Sequence, residues 1–530
     1  MKQIISVFAG MVLILLSEVS VAQFYPTSAF NLSEIKQSGT ARFQGLGGNH
    51  AALGGDASTS LGNPAGLAFY NRSEISVSPT FYNNSTSTNY IGGNSVQSAK
   101  NVNIGQFALA LAGTPDGYNT RWKRTGLGIS YSRLNNLNTQ FQYSGTNNRS
   151  SFVDYVVENL NRNGVPFDDL EKEYSANRNT ASTIDAALLN LYLFDDTTPA
   201  GPPYRRAIPL KNATTLQDGL YSATGFTSQW NIGYSGNMDD KLYLGASLGL
   251  WRTDYSYKHE LKEQFTNGRP FLGMNYNEAL TMTGSGVNLS LGAIYKVSSN
   301  LQLGAYLVTP SLTSLITNFS EGVAVSLSGD VPAYDFAGKP IFNALNQQQF
   351  NRLTNTSIPV EDYSFEYDLT GPLRASGGVT YFFGKHGFLT ATADYVGYRG
   401  MRMSTAYYNN NQDNSDFKAD NKKLVQTMFT NAVNVRVGGE GRIGNYRLRG
   451  GVAYLTNPYS ANVDKLNRSR LQLSGGVGYR NESFFIDFAA TLMQYKEAYS
   501  PYRLQDTTRY STAEISNTGL NTVLSFGLFF

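Results

Sequence analysis

The sequence predicts an all-β chain, a fourteen-stranded antiparallel transmembrane β-barrel, on three observations: a period-two strand at the C-terminus, an even number of alternating segments, and joins of alternating length. In the stretch 518–530, Leu520, Thr522, Leu524, Phe526, Leu528 and Phe530 fall on one parity, with Gly519, Asn521, Val523, Ser525, Gly527 and Phe529 on the other. One apolar face and one mixed face suit a strand lying between lipid and a polar lumen. Lipid offers nothing to an open backbone edge, so such a strand has to belong to a closed sheet.

Composition agrees. The 530 residues include 52 Gly, 35 Tyr and 30 Phe, and the formal charge is only +3. Mean hydropathy is −0.29, and no apolar run reaches the 18 or more residues of a membrane helix. The one short apolar run, Ile4 to Leu16, follows Lys2 and leads to Val21-Ala22-Gln23, which reads as a signal peptide over 1–22 cleaved after Ala22. The modest charge argues against a nucleic-acid partner, and without cysteine there is no disulfide framework.

Residues 23–71 do not read as a spanning strand. Gly39, Gly45, Gly47, Gly48, Gly54, Gly55, Gly62 and Gly66 sit among small alanines. So little bulky side chain cannot bury enough area to fold alone, but it can fold tightly if something encloses it.

The barrel reads over 72–530, with alternating segments at 73–82, 102–112, 124–133, 226–235, 241–252, 282–297, 300–309, 371–383, 387–398, 429–440, 444–456, 468–480, 483–495 and 518–530. Fourteen is even, as a bacterial outer-membrane barrel requires. Joins at 236–240, 298–299, 384–386, 441–443 and 481–482 are tight, and 113–123 is moderate; those at 83–101, 134–225, 253–281, 310–370, 399–428, 457–467 and 496–517 are mostly long. Such alternation predicts short periplasmic turns and long extracellular loops, hence a multi-pass outer-membrane chain with both termini periplasmic. Tyr234, Tyr243, Tyr295, Tyr306, Tyr395, Tyr398, Tyr454 and Tyr479 near strand ends fit interfacial girdles or ordinary strand packing.

The longest join, 134–225, holds two stripes at helical spacing, one with Val153, Val156, Val157 and Leu160, the other with Leu188, Leu191 and Phe194. Two readings stand side by side: an extracellular hydrophobic groove for a greasy solute, or a satellite core packing the loop over the barrel.

Here the residues resemble a known family. Gly45-Leu46-Gly47-Gly48, His50-Ala51-Ala52-Leu53-Gly54-Gly55-Asp56-Ala57 and Asn63-Pro64-Ala65-Gly66-Leu67 look like the N-terminal hatch of the FadL/TodX outer-membrane transport family, the long-chain fatty acid and aromatic hydrocarbon channels. The resemblance implies a barrel with the N-terminal hatch, residues 23–71, inside the lumen. It also implies a monomer, with capture of hydrophobic ligands from outside and lateral release beside a kinked third strand. Carried over by position, that strand is Thr125 to Arg133; Gly126 and Gly128 mark a kink or equally a close-packed wall position. Arg121, Lys123, Arg124 and Arg133 cluster about the same strand as candidate head-group ligands or ordinary surface charges.

An enzyme finds little support. The three histidines, His50, His259 and His386, lie far apart with no zinc-ligand spacing, and the 45–55 run lacks the Lys-Ser/Thr ending of a phosphate loop, so no cofactor or metal is expected. Two classes remain: a passive channel for hydrophobic molecules in contact with outer-membrane lipid, or a surface adhesin or structural barrel whose long loops bind a host or matrix component. The hatch favours the first.

Overall fold

In the computed structural model, residues 27–34, 39–114, 121–175, 178–198, 201–208, 214–267, 271–327 and 357–530 are described; the expected signal peptide lies outside them. The strands that organise the chain are β1 (Glu74–Tyr90), β2 (Gly93–Gly113), β3 (Trp122–Asn136), β4 (Thr139–Asn147), β5 (Thr215–Met238), β6 (Leu242–Phe265), β7 (Phe271–Lys296), β8 (Leu301–Val308) and β9 (Leu312–Leu327). They continue with β10 (Tyr363–Thr370), β11 (Arg374–Phe382), β12 (Gly387–Val396), β13 (Ala432–Ile443), β14 (Tyr446–Leu455), β15 (Arg470–Arg480), β16 (Phe484–Tyr499) and β17 (Ala513–Phe529).

Fourteen of these close a ring of antiparallel ladders in the order β1, β2, β3, β5, β6, β7, β8, β11, β12, β13, β14, β15, β16, β17, and β17 returns to β1. The dyad faces outward as expected. In β17 Leu520, Leu524, Phe526 and Leu528 are exposed while Asn521, Ser525 and Val523 are buried; in β6 Leu244, Leu248 and Leu250 are exposed while Tyr243, Ser247 and Trp251 are buried. Apolar outside and polar inside inverts the order of a soluble core, because the solvent of the outer face is hydrocarbon.

Each segment read from the sequence overlaps one ring strand, yet several joins differ from expectation. Residues 83–101 are not a loose loop: β1 and β2 run on to a two-residue turn in which Ile91 (φ 48°) and Gly92 (φ 81°) are both left-handed. β5, β6, β7, β16 and β17 likewise continue beyond the apolar band, and β4, β9 and β10 prolong β3, β8 and β11. Above the lipid the outer face meets water, so the hydrophobic alternation that reveals a strand in sequence stops while the strand does not.

The multi-pass expectation is corrected. The membrane body is a single β-barrel that crosses once as one unit, since no strand can cross without ladder partners on both edges, and among the described residues no helix is long and apolar enough to cross.

Inside the ring sits the glycine-rich N-terminal segment. Its helix α1 (Ala41–Gly45) is N-capped by Thr40, whose side chain accepts from Phe43 N, and Ala41 packs against Ala489 and Val523 of the wall. At the long-loop end, α2 (Phe152–Asn163) and α3 (Ile184–Asn190) belong to one large apolar core, and α4 (Asn411–Met428) lies over a second core through Val425 and Met428.

Candidate functional site: a hatch, a chamber and a seam in the wall

The hatch is held by backbone contact. Asn63 is fully buried; its Oδ1 accepts from Ala65 N and its Nδ2 donates to the carbonyls of Ala51 (2.6 Å), Ala293 (3.2 Å) and Ala305 (3.3 Å), so one side chain caps the Pro64–Phe69 turn and ties it to β7 and β8. Pro64 sits where the turn needs no N–H, and Ala65 is small enough to meet the wall. The wall answers with glycine: a Cβ at Gly304 would lie 1.9 Å from Ala51 O, one at Gly245 2.5 Å from Ala65 N, and one at Gly451 2.4 Å from Gly47 N.

Within the hatch, Gly47 (φ +72°), Gly48 (φ +80°) and Gly55 (φ +67°) take left-handed turns. A Cβ at Gly54 would meet the Phe69 ring and one at Gly66 the Thr59 side chain, whereas Gly45 lies at ordinary van der Waals distance from Gly476 Cα. Buried ions add fixed points: Arg42 faces Glu440 at 3.5 Å, Arg449 bridges Glu440 (2.8 Å) and Asp487 (2.7 Å), and Arg436 joins Asp394 (2.8 Å) to Gly47 O (3.1 Å).

Above the hatch an apolar chamber is filled by the residues 27–33 helix. Phe30 stacks on Phe429 (centroids 5.3 Å, 19°) and meets Tyr398 and Tyr459, among Met282, Met401, Met403 and Met428. Glu34 pairs with Arg470 at 2.9 Å, Arg374 donates to Ser33 O, and Asn135 donates to Asn31 O.

Beside this chamber the wall ladder is interrupted between β2 and β3. The β2–β3 ladder ends at Gln106 opposite Ser132; beyond it, residues 93–104 of β2 are laddered with β1, and β4 with β5. Two irregularities bend the strands apart there. β1 shifts register at Ser78/Pro79, which leaves Gly105 as an extra residue, and β3 shifts at Arg133/Asn135 before breaking at Leu137 and Asn138, where Gly225 lies opposite. The seam between β2 and β4 is closed by side chains: Gln97 Nε2 donates to Gln142 Oε1 (3.2 Å), Ser95 to Gln142 O, and Thr86 of β1 reaches Gln140 O (2.5 Å).

Behind the seam is a small cavity of about 40 Å³ lined by Gln44, Tyr82, Asn103, Arg133, Met493 and Tyr495. Arg133 lies over the Phe226 ring at 4.6 Å and donates weakly to Gly225 O; its buried Nε has no partner among the described residues.

These facts sort the residues singled out from sequence. The ladder runs unbroken through Gly126 and Gly128, which face inward to seat Leu67; the break is at 137–138, because a glycine inside a paired strand yields space and not a bend unless an extra residue is inserted. The four cations do not converge. Arg121 pairs with Asp239 (2.8 Å) and Arg124 with Asp240 (3.1 Å) at the short-turn end, beside Lys123, while Arg133 is nine residues up the strand, about 30 Å away. Val153, Val156, Leu160, Leu188, Leu191 and Phe194 are buried together and Val157 packs against them, so in this conformation they form loop core and present no open groove. That core is pinned by Glu263, whose carboxylate accepts from Phe152 N (3.0 Å) and Ser151 Oγ (2.6 Å) at the start of α2.

Sequence reasoning missed Pro79, a proline within a strand and therefore a signal of irregular pairing, and the polar run 94–103, whose Asn, Ser and Gln serve the seam. Gly245-Ala246-Ser247-Leu248-Gly249 has the spacing of a hydrolase elbow, but it lies within β6 with partners on both sides and lacks the strand-to-helix turn. Among the described residues no group of His, Cys, Asp and Glu could hold a metal ion.

No family model and no curated protein matches the chain. Among solved structures it is similar to the crystal structure of a Pseudomonas aeruginosa FadL homologue, with a TM-score of 0.52 and 14% identity over 94% of this chain and 99% of that one. The chain has the FadL-type barrel fold. A deltaS2 mutant of the TodX monoaromatic hydrocarbon channel is similar at a TM-score of 0.50, with 13% identity over 93% of this chain and 98% of that one.

Proposed function

We propose that the chain is a channel for passive uptake of hydrophobic small molecules, long-chain fatty acids among them, whose cargo leaves sideways through the seam between β2 and β4. The observation that carries the reading is that seam, a stretch of wall joined through side-chain donors and not by a backbone ladder, beside an apolar chamber; a hatch seated in the lumen supports it. A solute that gains about 0.8 kcal/mol per buried methylene follows dry surfaces, and a blocked axial path leaves the wall as its exit. The likeness to a FadL homologue and to a hydrocarbon channel agrees with this reading.

Capture takes place at the long-loop end, where the core containing Val156, Leu160 and Leu188 parts to expose an apolar surface. The Phe30 segment then yields the chamber. Arg133 holds an anionic head group, if the cargo has one, through its unpartnered Nε.

Because the chain has no cysteine, Gln97→Cys with Gln142→Cys can be bridged by a short bis-methanethiosulfonate, each thiolate displacing methanesulfinate to form a disulfide. Uptake of a fluorescent fatty acid into proteoliposomes is expected to fall severalfold on bridging and to recover on reduction. Unchanged uptake in the bridged protein removes lateral release; uptake no greater than that of empty vesicles removes transport altogether and favours an adhesive role for the loops.

A further inference from the structure

The outer face of the barrel carries a cavity of about 1100 Å³, in a wall that lipid otherwise covers. Its floor follows one ladder row: Gly236 stands opposite Leu244, Leu244 opposite Ala293, Ala293 opposite Ala305, and Ala305 opposite Gly377. Four strand-to-strand steps span about 19 Å. A Cβ built on Gly377 would meet nothing within 4 Å, so that end of the floor is open. Leu291 and Leu307 form the rim on one side; at the short-turn end Trp122 lies across Gly236 and closes the cavity.

The concavity has a cause. The inward faces of these strands carry Gly245, Gly292 and Gly304, against which the hatch backbone packs directly, so the wall is drawn onto the hatch where its outer residues are also small. Next to Trp122 the charge changes sign: Arg121, Lys123, Arg124 and Lys241 stand against Asp239 and Asp240, four cations to two carboxylates, and the Arg121 side chain is 70% exposed. A dry trough that ends at an aromatic side chain and a cationic rim matches one chemistry, an acyl chain joined to a phosphate. A neutral hydrocarbon uses the trough and ignores the rim; a free anion does the reverse.

We propose that this cavity binds an anionic phospholipid of the leaflet at the short-turn end, with one acyl chain along the row from Gly236 to Gly377 and the phosphate at Arg121 and Lys241. The site lies outside the lumen and does not depend on the transport reading.

The full chain has three tryptophans, of which Trp251 is buried and Trp230 faces lipid, so Trp230→Phe leaves Trp122 as the lipid-exposed reporter. In phosphatidylcholine vesicles, brominated phosphatidylglycerol is expected to quench Trp122 at a severalfold lower mole fraction than brominated phosphatidylcholine does. Arg121→Gln with Lys241→Gln, both at the turn end, abolishes the head-group preference, and Ala305→Leu with Gly377→Leu, which fills the trough, weakens quenching by the anionic lipid. Identical quenching curves for the two brominated lipids in the Trp230→Phe protein overturn the proposal, and that comparison needs no altered groove to fold. A preference that survives filling of the trough, in protein whose heat-dependent gel mobility shows a folded barrel, overturns it equally.

Discussion

His50 shows how much a single hatch side chain is asked to tolerate. Its ring stacks on Tyr306 (5.2 Å) and meets Phe43 (4.7 Å), and both ring nitrogens are buried with no side-chain partner among the described residues. Burial lowers its pKa from 6.5 to about 4, with Asp394 opposing and Arg436 reinforcing the shift. The folded value lies below the unfolded one, so the contribution of the neutral ring is present above about pH 6.5 and is lost as pH falls towards about 4, a difference on the order of 3 kcal/mol. Protease accessibility of the hatch should therefore rise between about pH 7 and about pH 4, and His50→Phe, which keeps the stacking and removes the proton site, should flatten the profile. Asn63 is the other residue on which much converges. Asn63→Ala strips the carbonyls of Ala51, Ala293 and Ala305 of one donor and should destabilise the seated hatch by about 1–3 kcal/mol, read as a lower denaturant midpoint for hatch release with the barrel transition unchanged.

At the scale of the element, the bulge in β1 and β2 decides where the wall can part. Pro79 has no N–H to give, and the extra Gly105 lies against Thr80, where a Cβ would come within 2.2 Å of its Oγ1. Deleting Gly105 leaves the pairing of β1 with residues 93–104 as it stands and removes the excess residue. The β2–β3 ladder should then extend past Gln106, amide exchange over 98–105 should slow, and hydrophobic uptake should fall. The third strand was legible as an element, while its irregular point was not: of the two readings of Gly126 and Gly128, a kink or a close-packed wall position, they take the second and make room for Leu67, and the bend comes from an insertion in one strand and a break in another.

At the scale of the whole molecule, barrel and hatch are fitted through backbone contacts that tolerate no added side chain. Gly304→Val sets a Cβ 1.9 Å from Ala51 O and should displace the hatch without opening the ring, giving a folded barrel with raised ion conductance in planar bilayers; conductance equal to that of the parent chain would mean that the hatch does not close the bore. The ring itself could be read from sequence because lipid imposes a period of two on every strand it touches, and the alternation from 518 to 530 already states which face is which. The hatch could be read as small and enclosed because glycine and alanine leave it no core of its own. Only the tertiary structure decided that Asn63 spans hatch and wall, that Arg133 stands apart from Arg121, Lys123 and Arg124, and that the wall is zipped by side chains between β2 and β4. Burial pattern is a local property that each residue records in its own polarity. A missing ladder partner depends on strands distant in sequence, so Pro79 and the polar run 94–103 mark irregular pairing without stating which neighbour is lost.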